Sequence, residues 1–192
     1  MTRPALKEEV YIVVDVEASG PAPGNYALLS IGACTVAEPR QTFYVELRPD
    51  REAFTPEAMM VNGLSLERLA EEGLPPEEAM QAFADWAAEL VPGDARPVFA
   101  AFNAPFDWMF VNDYFHRYLG YNPFGHAALD IKSYYMGVEG VTWQETSHRY
   151  VAERICVREP LTHHALDDAI DEAEILQIML GLRETNCEEG SE

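Results

Sequence analysis

Residues 10–19 of the chain, VYIVVDVEAS, form a β-branched, almost wholly apolar run that closes on two carboxylates. From Val10 to Val16 the run lacks the polar alternation of a half-exposed strand, so it predicts a strand covered on both faces at the centre of a sheet, with helices packed above and below. Asp15 and Glu17 are two residues apart, so their side chains leave the strand on the same side, with backbone positions about 6–7 Å apart. Two ionised carboxylates placed so close repel one another. Burying them calls for a compensating cation, and hard divalent ions such as Mg²⁺ and Mn²⁺ take oxygen ligands of this kind. A lone D-x-E at a strand end is usually just solvated, so its meaning depends on what else reaches the same edge.

The elements around this strand follow from pattern and punctuation. A Gly/Pro/Asn-rich turn at Gly20–Asn25 leads to a second strand near Ala27–Val36 and, after Glu38-Pro39-Arg40, to a third near Gln41–Leu47, as in an antiparallel meander. Short helical pieces are expected near Pro56–Met60 and Ser65–Glu71, then an amphipathic helix over Pro75–Leu90. A strand at Val98–Phe102 precedes a helix from Ala104 to about Leu119, and a short strand falls near Ala127–Asp130. The last long helix is expected from about His163 to Leu182, burying Leu166, Ile170, Ala173, Leu176 and Leu180. Trp86, Trp108 and Trp143 read as core or helix-packing residues.

Length and composition bound the rest. A chain of 192 residues suits one domain, expected over residues 1–183, with residues 184–192 as an acidic, disordered tail. With 48% hydrophobic residues the chain is a folding one, yet 13 Lys and Arg against 33 Asp and Glu give a net charge of −20. That excludes a broad basic surface for long nucleic acid. Cys34, Cys156 and Cys187 show neither C-x-x-C nor zinc spacing, and their odd number does not close a disulfide framework. A reducing, cytoplasmic setting is expected, with neither signal peptide nor membrane span.

Two further sites complete the pattern. In AFNAPFDWMF, residues 101–110, Asn103 ends a strand and Asp107 falls in the first turn of the next helix. Both have ordinary explanations there, a cap and a charge stabilised by the helix dipole. If that strand runs parallel to the first, however, Asp107 arrives at the edge that holds Asp15 and Glu17, the edge at which open α/β sheets bind ligands. In LTHHALDDAIDEAEIL, residues 161–176, two histidines and two aspartates crowd the start of the last helix. On an ideal helix His164 and Asp168 share a face, whereas His163 and Asp168 do not.

Taken in order, DVEASG, NAPFD and HHALDD resemble the three motifs of the DEDDh exonucleases, D-x-E, N-x-x-F-D and H-x-A-x-x-D, and LLSIGACTV and VNGLS resemble intervening segments of that family. The resemblance implies a ribonuclease H-like α/β fold, a central mixed five-stranded sheet flanked by helices on both faces. It makes Asp15, Glu17, Asp107 and Asp168 ligands of two Mg²⁺ or Mn²⁺ ions and His163 the catalytic base, a role that requires His163 to stand at or before the helix start. Ala18, Ser19, Leu64, Asn103 and Phe106 become candidate substrate contacts, with Leu28 and Phe102 as weaker ones. Two positions depart from the family pattern: Ala18 and Ser19 replace a Thr-Thr pair, and Asn62 stands where a histidine is usual.

The reaction implied is 3′–5′ hydrolysis of single-stranded or short nucleic acid with release of nucleoside 5′-monophosphates. An oligoribonuclease-like enzyme restricted to very short RNA and a catalytically inactive nucleic-acid-binding module are the alternatives. A homodimer is a family expectation. With so few cations, Arg149, Arg154 and Arg158 among them and each close to a glutamate, only the last few 3′ nucleotides are expected to be held.

Overall fold

The computed structural model describes residues 9–93, 95–155 and 162–181. β1 (Val10–Ala18) pairs antiparallel with β2 (Leu28–Thr35) on one side and parallel with β4 (Pro97–Ala101) on the other. β3 (Thr42–Glu46) extends the sheet beyond β2, and β5 (Ala128–Asp130) lies parallel to β4, giving the order β3-β2-β1-β4-β5. This is the expected mixed five-stranded sheet. β1 runs through both carboxylates because β2 keeps pairing with it, Asp15 opposite Gly32 and Glu17 opposite Ser30. The β4 pairing ends earlier, at Val13 opposite Ala100. Past that point β1 has a partner on one side only, and its other side is open to whatever follows β4.

Alternation along β1 sends successive residues into two cores. Ile12, Val14 and Val16 join Phe83, Phe99 and Phe110 on the face covered by α3 (Pro76–Glu89) and α4 (Ala104–Tyr114). Trp86 and Trp108 pack against this cluster, Trp108 edge-on to Phe99 at 5.1 Å. Val13 joins the opposite core with Cys34, Ala100, Ile131, Tyr135, Val151 and Leu176. That face is covered by α5 (Ile131–Glu139), α6 (His148–Ile155) and α7 (Ala165–Met179). Asp15 and Glu17 follow Val13 at intervals of two, so the register turns them toward α7. α1 (Pro56–Asn62) and α2 (Leu66–Glu72) are short and start on side-chain caps, the hydroxyls of Thr55 and Ser65 accepting from Ala58 N–H and Arg68 N–H.

Three expectations are corrected. α5 and α6 were not foreseen, since Gly137 and the eight-residue length of α6 weaken the helical signal. Asp130 caps α5 by accepting from Ser133 N–H at 3.0 Å, and burial of Tyr135, Val151 and Ile155 against α7 supplies the rest. α7 buries Ala165, Asp168, Ala169, Glu172, Ala173 and Leu176, while Leu166, Ile170 and Leu180 are only partly covered. Small residues let this helix lie close to the sheet, so the stripe that faces inward is set by size and contains two acids. Trp143 is no packing residue, being 54% exposed.

Arg149 pairs with Glu153 at 3.0 Å and Arg154 with Glu139 at 3.4 Å, the mixed-charge surface expected of this region. Arg158, Cys156, Cys187 and the proposed tail at 184–192 lie outside the described residues. Among the described residues no helix is long and apolar enough to cross a membrane.

The tightest contact in the sheet is at Gly32. A Cβ placed there would lie 2.2 Å from the backbone C of Ala165 and the backbone N of Leu166. No rotamer relieves a clash with backbone. Gly32→Ala is therefore expected to force α7 off β2 at a cost of about 1–3 kcal/mol, with Tm falling about 2–4 °C for each kcal/mol in a chain of this size. A melting curve equal to that of the parent would show that α7 does not depend on this approach.

Candidate active site

α7 carries Asp168 to the end of β1. The Asp168 carboxylate is 2% exposed and accepts three hydrogen bonds, from Thr162 N–H at 2.8 Å, Thr162 hydroxyl at 3.0 Å and His163 N–H at 3.0 Å. These bonds fold the residues before the helix back over its first turn and hold His163 at a φ of 57°, an uncommon left-handed conformation for a residue with a side chain. The turn directs His163 at the acids. One ligand atom each of His163, Glu17 and Asp168 lie within 4.8 Å of one another. His164 is the N-cap of α7, its ring stacked on Tyr44 at 4.6 Å. Helical periodicity favours His164, but the backbone places His163 before the helix and outside that periodicity.

Asp107 comes from the other side of β1. The chain leaves β4 through Asn103 at a φ of 72° and enters α4, whose first N–H, that of Ala104, donates to Asp130 at 3.0 Å. Asn103 itself is exposed and makes no side-chain cap, so Asp130 at the end of β5 does that work. Three residues on, Asp107 accepts from Val16 N–H at 3.1 Å, in the stretch of β1 that β4 no longer accompanies.

A fifth carboxylate, not singled out in the sequence, completes the cluster. Glu172 is 3% exposed and accepts from Phe102 N–H at 3.1 Å, tying α7 to the end of β4. Its spacing of four from Asp168 on one helix face was the available signal. Phe102 itself packs against the core shared with α7. Burial, then repulsion from Asp107 and Glu172, pushes the Asp15 carboxyl well above the usual range. Burial likewise raises Asp107 and Glu172. Glu17 is pushed up to about 8, by burial first and then by Asp168. Among the described residues none of the five forms an ion pair with Lys or Arg. Three buried and two half-buried carboxylates without cationic side chains and without thiolates are a donor set suited to hard divalent ions.

Beside Glu17 opens an apolar groove of about 450 Å³, lined by Ala18, Gly20, Pro21, Thr55, Glu57, Ala58, Val61 and Phe106. Of the expected substrate contacts, Ala18 and Phe106 line it. Two others are corrected. Ser19 is fully buried, its hydroxyl donating to Ala53 C=O and accepting from Ala27 N–H, both at 2.8 Å, which commits its only proton within the fold. Leu28, a weaker candidate, is wholly buried, whereas Leu64 is half-buried, packed with Leu29 and Leu69, and is not among the residues lining the groove. Asn62 donates to Ala18 C=O at 3.2 Å and accepts from Leu64 N–H at 3.0 Å, so it fixes the end of α1 to the end of β1. Thr55, Ala58 and Val61 belong to the groove by virtue of α1's placement, which no sequence motif announces.

A family model described as Exonuclease matches residues 12–176, most of the chain and every element just described. The chain belongs to the exonuclease family. Within that family it is 48% identical over 177 residues to the 3′–5′ DNA exonuclease Cap18 of Escherichia coli, covering 92% of this chain and 95% of the relative. In fold it is similar to the nuclease domain of 3′hExo, a DEDDh family member bound to rAMP, with a TM-score of 0.74, 17% identity and coverage of 90% and 92% of the two chains. E. coli exonuclease I in complex with a dT13 oligonucleotide gives a TM-score of 0.69 at 16% identity, over 90% of this chain and 41% of that one. The five-carboxylate edge thus lies on the DEDDh exonuclease fold.

The electrostatics of this exonuclease site predict a pH-dependent stability. The folded state keeps the Glu17 proton up to about 8, whereas the unfolded chain releases it near the ordinary value of 4.5. The folded state therefore binds more protons in that window, and stability falls as pH rises through it. Divalent ions bind the deprotonated ligands, so Mg²⁺ or Mn²⁺ should raise Tm by more at about pH 8.5 than at about pH 5.5. An equal metal-induced shift at both pH values would contradict this. Glu172 gives a second prediction. Glu172→Ala orphans Phe102 N–H and should destabilise by about 1–3 kcal/mol, while Glu172→Gln keeps an acceptor and relieves repulsion, so in chelator it should melt no lower than the parent.

Proposed function

We propose that this exonuclease shortens DNA from the 3′ end in a divalent-metal-dependent hydrolysis that releases nucleoside 5′-monophosphates, with His163 as general base. The observation that carries the reading is the turn before α7, in which the Asp168 carboxylate holds His163 left-handed with its ring facing Glu17 and Asp168. The name of the 48% identical relative supports the direction and the choice of DNA.

Asp15, Glu17, Asp107 and Asp168 would hold two Mg²⁺ or Mn²⁺ ions, which when bound would stabilise the charge developing on the phosphate and on the leaving oxygen. The chain's own groups do the rest. Neutral His163 takes a proton from the water that attacks the terminal phosphorus. The P–O bond to the preceding nucleotide breaks, and the departing oxygen becomes the new 3′ hydroxyl. The apolar groove beside Glu17 receives the terminal nucleoside, with Phe106 and Val61 as its hydrophobic walls and Glu57 at its margin. At about 450 Å³ it accommodates one nucleoside, which suits removal of one residue at a time. With a net charge of −20 the remaining surface repels phosphate, so the grip is confined to the 3′ end.

A 3′-labelled single-stranded 20-mer with Mg²⁺ or Mn²⁺ is the direct test. Labelled 5′-mononucleotide should appear, and His163→Ala should lower kcat by about 10²–10⁴-fold, whereas His164→Ala should keep most of the turnover. A label that stays intact with either metal would overturn the assignment. Turnover confined to RNA dinucleotides would instead favour an oligoribonuclease-like enzyme.

A further inference from the structure

Trp143 opens the short turn Trp143–Thr146 that follows α5, and 54% of it is exposed. The chain's two other tryptophans, Trp86 and Trp108, pack against the core under α3 and α4. Exposing an indole forgoes a large burial energy, and such rings are typical of surfaces that meet a partner. The Lys132 ammonium stands over the Trp143 ring, 4.4 Å from its centroid. Acids outnumber cations 33 to 13 in this chain, and Arg40, Arg51, Arg68, Arg117, Arg149 and Arg154 each hold a carboxylate. Among the described residues Lys132 makes no ion pair. Glu145, two residues from Trp143, is engaged by Thr142, accepting from its N–H at 2.9 Å and from its hydroxyl at 2.7 Å.

The pair is placed near the catalytic edge. Lys132 is the second residue of α5, whose cap Asp130 also accepts from Ala104 N–H at 3.0 Å, where α4 and its Asp107 begin. Lys132 is two residues from Asp130, within about 8 Å of backbone, and Asp107 lies one helical turn from Ala104. The strand on which this site acts, as proposed above, has to leave the carboxylates along some path, and the start of α5 lies beside the residues from which it departs.

We propose that Lys132 and Trp143 form a subsite for the upstream part of a single-stranded DNA substrate, one base stacking on the indole and the adjacent phosphate pairing with the ammonium. Stacking requires a base free of its complement and tolerates any sequence, and a lone cation over an aromatic ring supplies charge without a basic tract. The subsite rests on the exonuclease reading, and it confers on that activity a preference for strands longer than a dinucleotide.

Two measurements test it. In steady-state kinetics with Mg²⁺, the parent should show a lower KM on an oligo-dT 12-mer than on a dT dinucleotide. Trp143→Ala should raise KM on the 12-mer by about 5–150-fold, the range given by one stacked base, with kcat changed less than about twofold, so that this length advantage collapses. Lys132→Gln should do the same more weakly. A KM that rises equally on both substrates, or on neither, overturns the subsite. In EDTA, where no turnover occurs, the 12-mer should quench the tryptophan fluorescence of the parent, and the quenching should be lost in Trp143→Phe, which keeps Trp86 and Trp108. Quenching that persists in Trp143→Phe, or is absent from the parent, refutes the subsite whatever the hydrolysis assay gives. A parent that quenches but hydrolyses nothing refutes the exonuclease reading alone.

Discussion

The contact between α7 and β2 at Gly32 governs the site, because a helix meets a sheet this closely only where the sheet presents no side chain. Gly32 is directly opposite Asp15 in the β1–β2 ladder. The same absence of a Cβ that admits the helix backbone therefore seats the first turn of α7 over Asp15. Asp168 and Glu172 then face the sheet where a helix at ordinary distance would place Leu or Ile. Ala165, Ala169 and Ala173 on the same stripe continue this close approach along the helix.

What is brought together is electrostatically unfavourable. Five carboxylates share one edge with no Lys or Arg bonded to any of them among the described residues, and four have their pKa values raised by burial. Neutral donors fix the geometry. Val16 N–H holds Asp107, Phe102 N–H holds Glu172, and Thr162 and His163 hold Asp168. Backbone donors orient a carboxylate without cancelling its charge, so the edge retains its demand for a dication. The wider fold bears the cost through two cores and through the Asp50 hub, where Tyr114, Tyr118 and Arg117 converge and the Tyr114 hydroxyl in turn accepts Leu28 N–H at 2.8 Å.

Much of this was legible in the sequence because the chemistry sits where patterns are strongest. The apolar run before Asp15 read as a central strand, and the parallel placement of Val98–Phe102, left open by the sequence, is the one the sheet adopts. These two facts bring Asp15, Glu17 and Asp107 to one edge. What stayed hidden depends on distance rather than on periodicity. Glu172 is an acid on a stripe that polarity alone assigns to solvent, and it turns inward because its helix is close. Ser19 carries a hydroxyl beside the active edge, yet its hydroxyl is used within the fold. The left-handed turn that carries His163 rests on one backbone angle, which no hydrophobic pattern encodes, although the motif spacing points to His163 rather than His164. α5 and α6 exist through packing on α7 and so left only a faint local signal.

The segment carrying Thr55 to Asn62 hangs on the end of β1 by a few bonds: Thr55 N–H to Ser19 C=O at 2.8 Å, Ser19 hydroxyl to Ala53 C=O, and Asn62 to Ala18 C=O. It supplies one wall of the groove and none of the carboxylates. α1 buries no residue fully, and Met59 is the member of it that packs against a core cluster, with Leu29 and Leu69. On the function proposed above, catalytic chemistry and substrate choice are thus written in different stretches of chain. The first is fixed by strands and a helix that cannot shift without undoing the cores, the second by a surface helix whose inward side can be rewritten. In evolutionary terms Thr55–Val61 can vary, and with them the shape of the groove, while the carboxylate edge stays as it is.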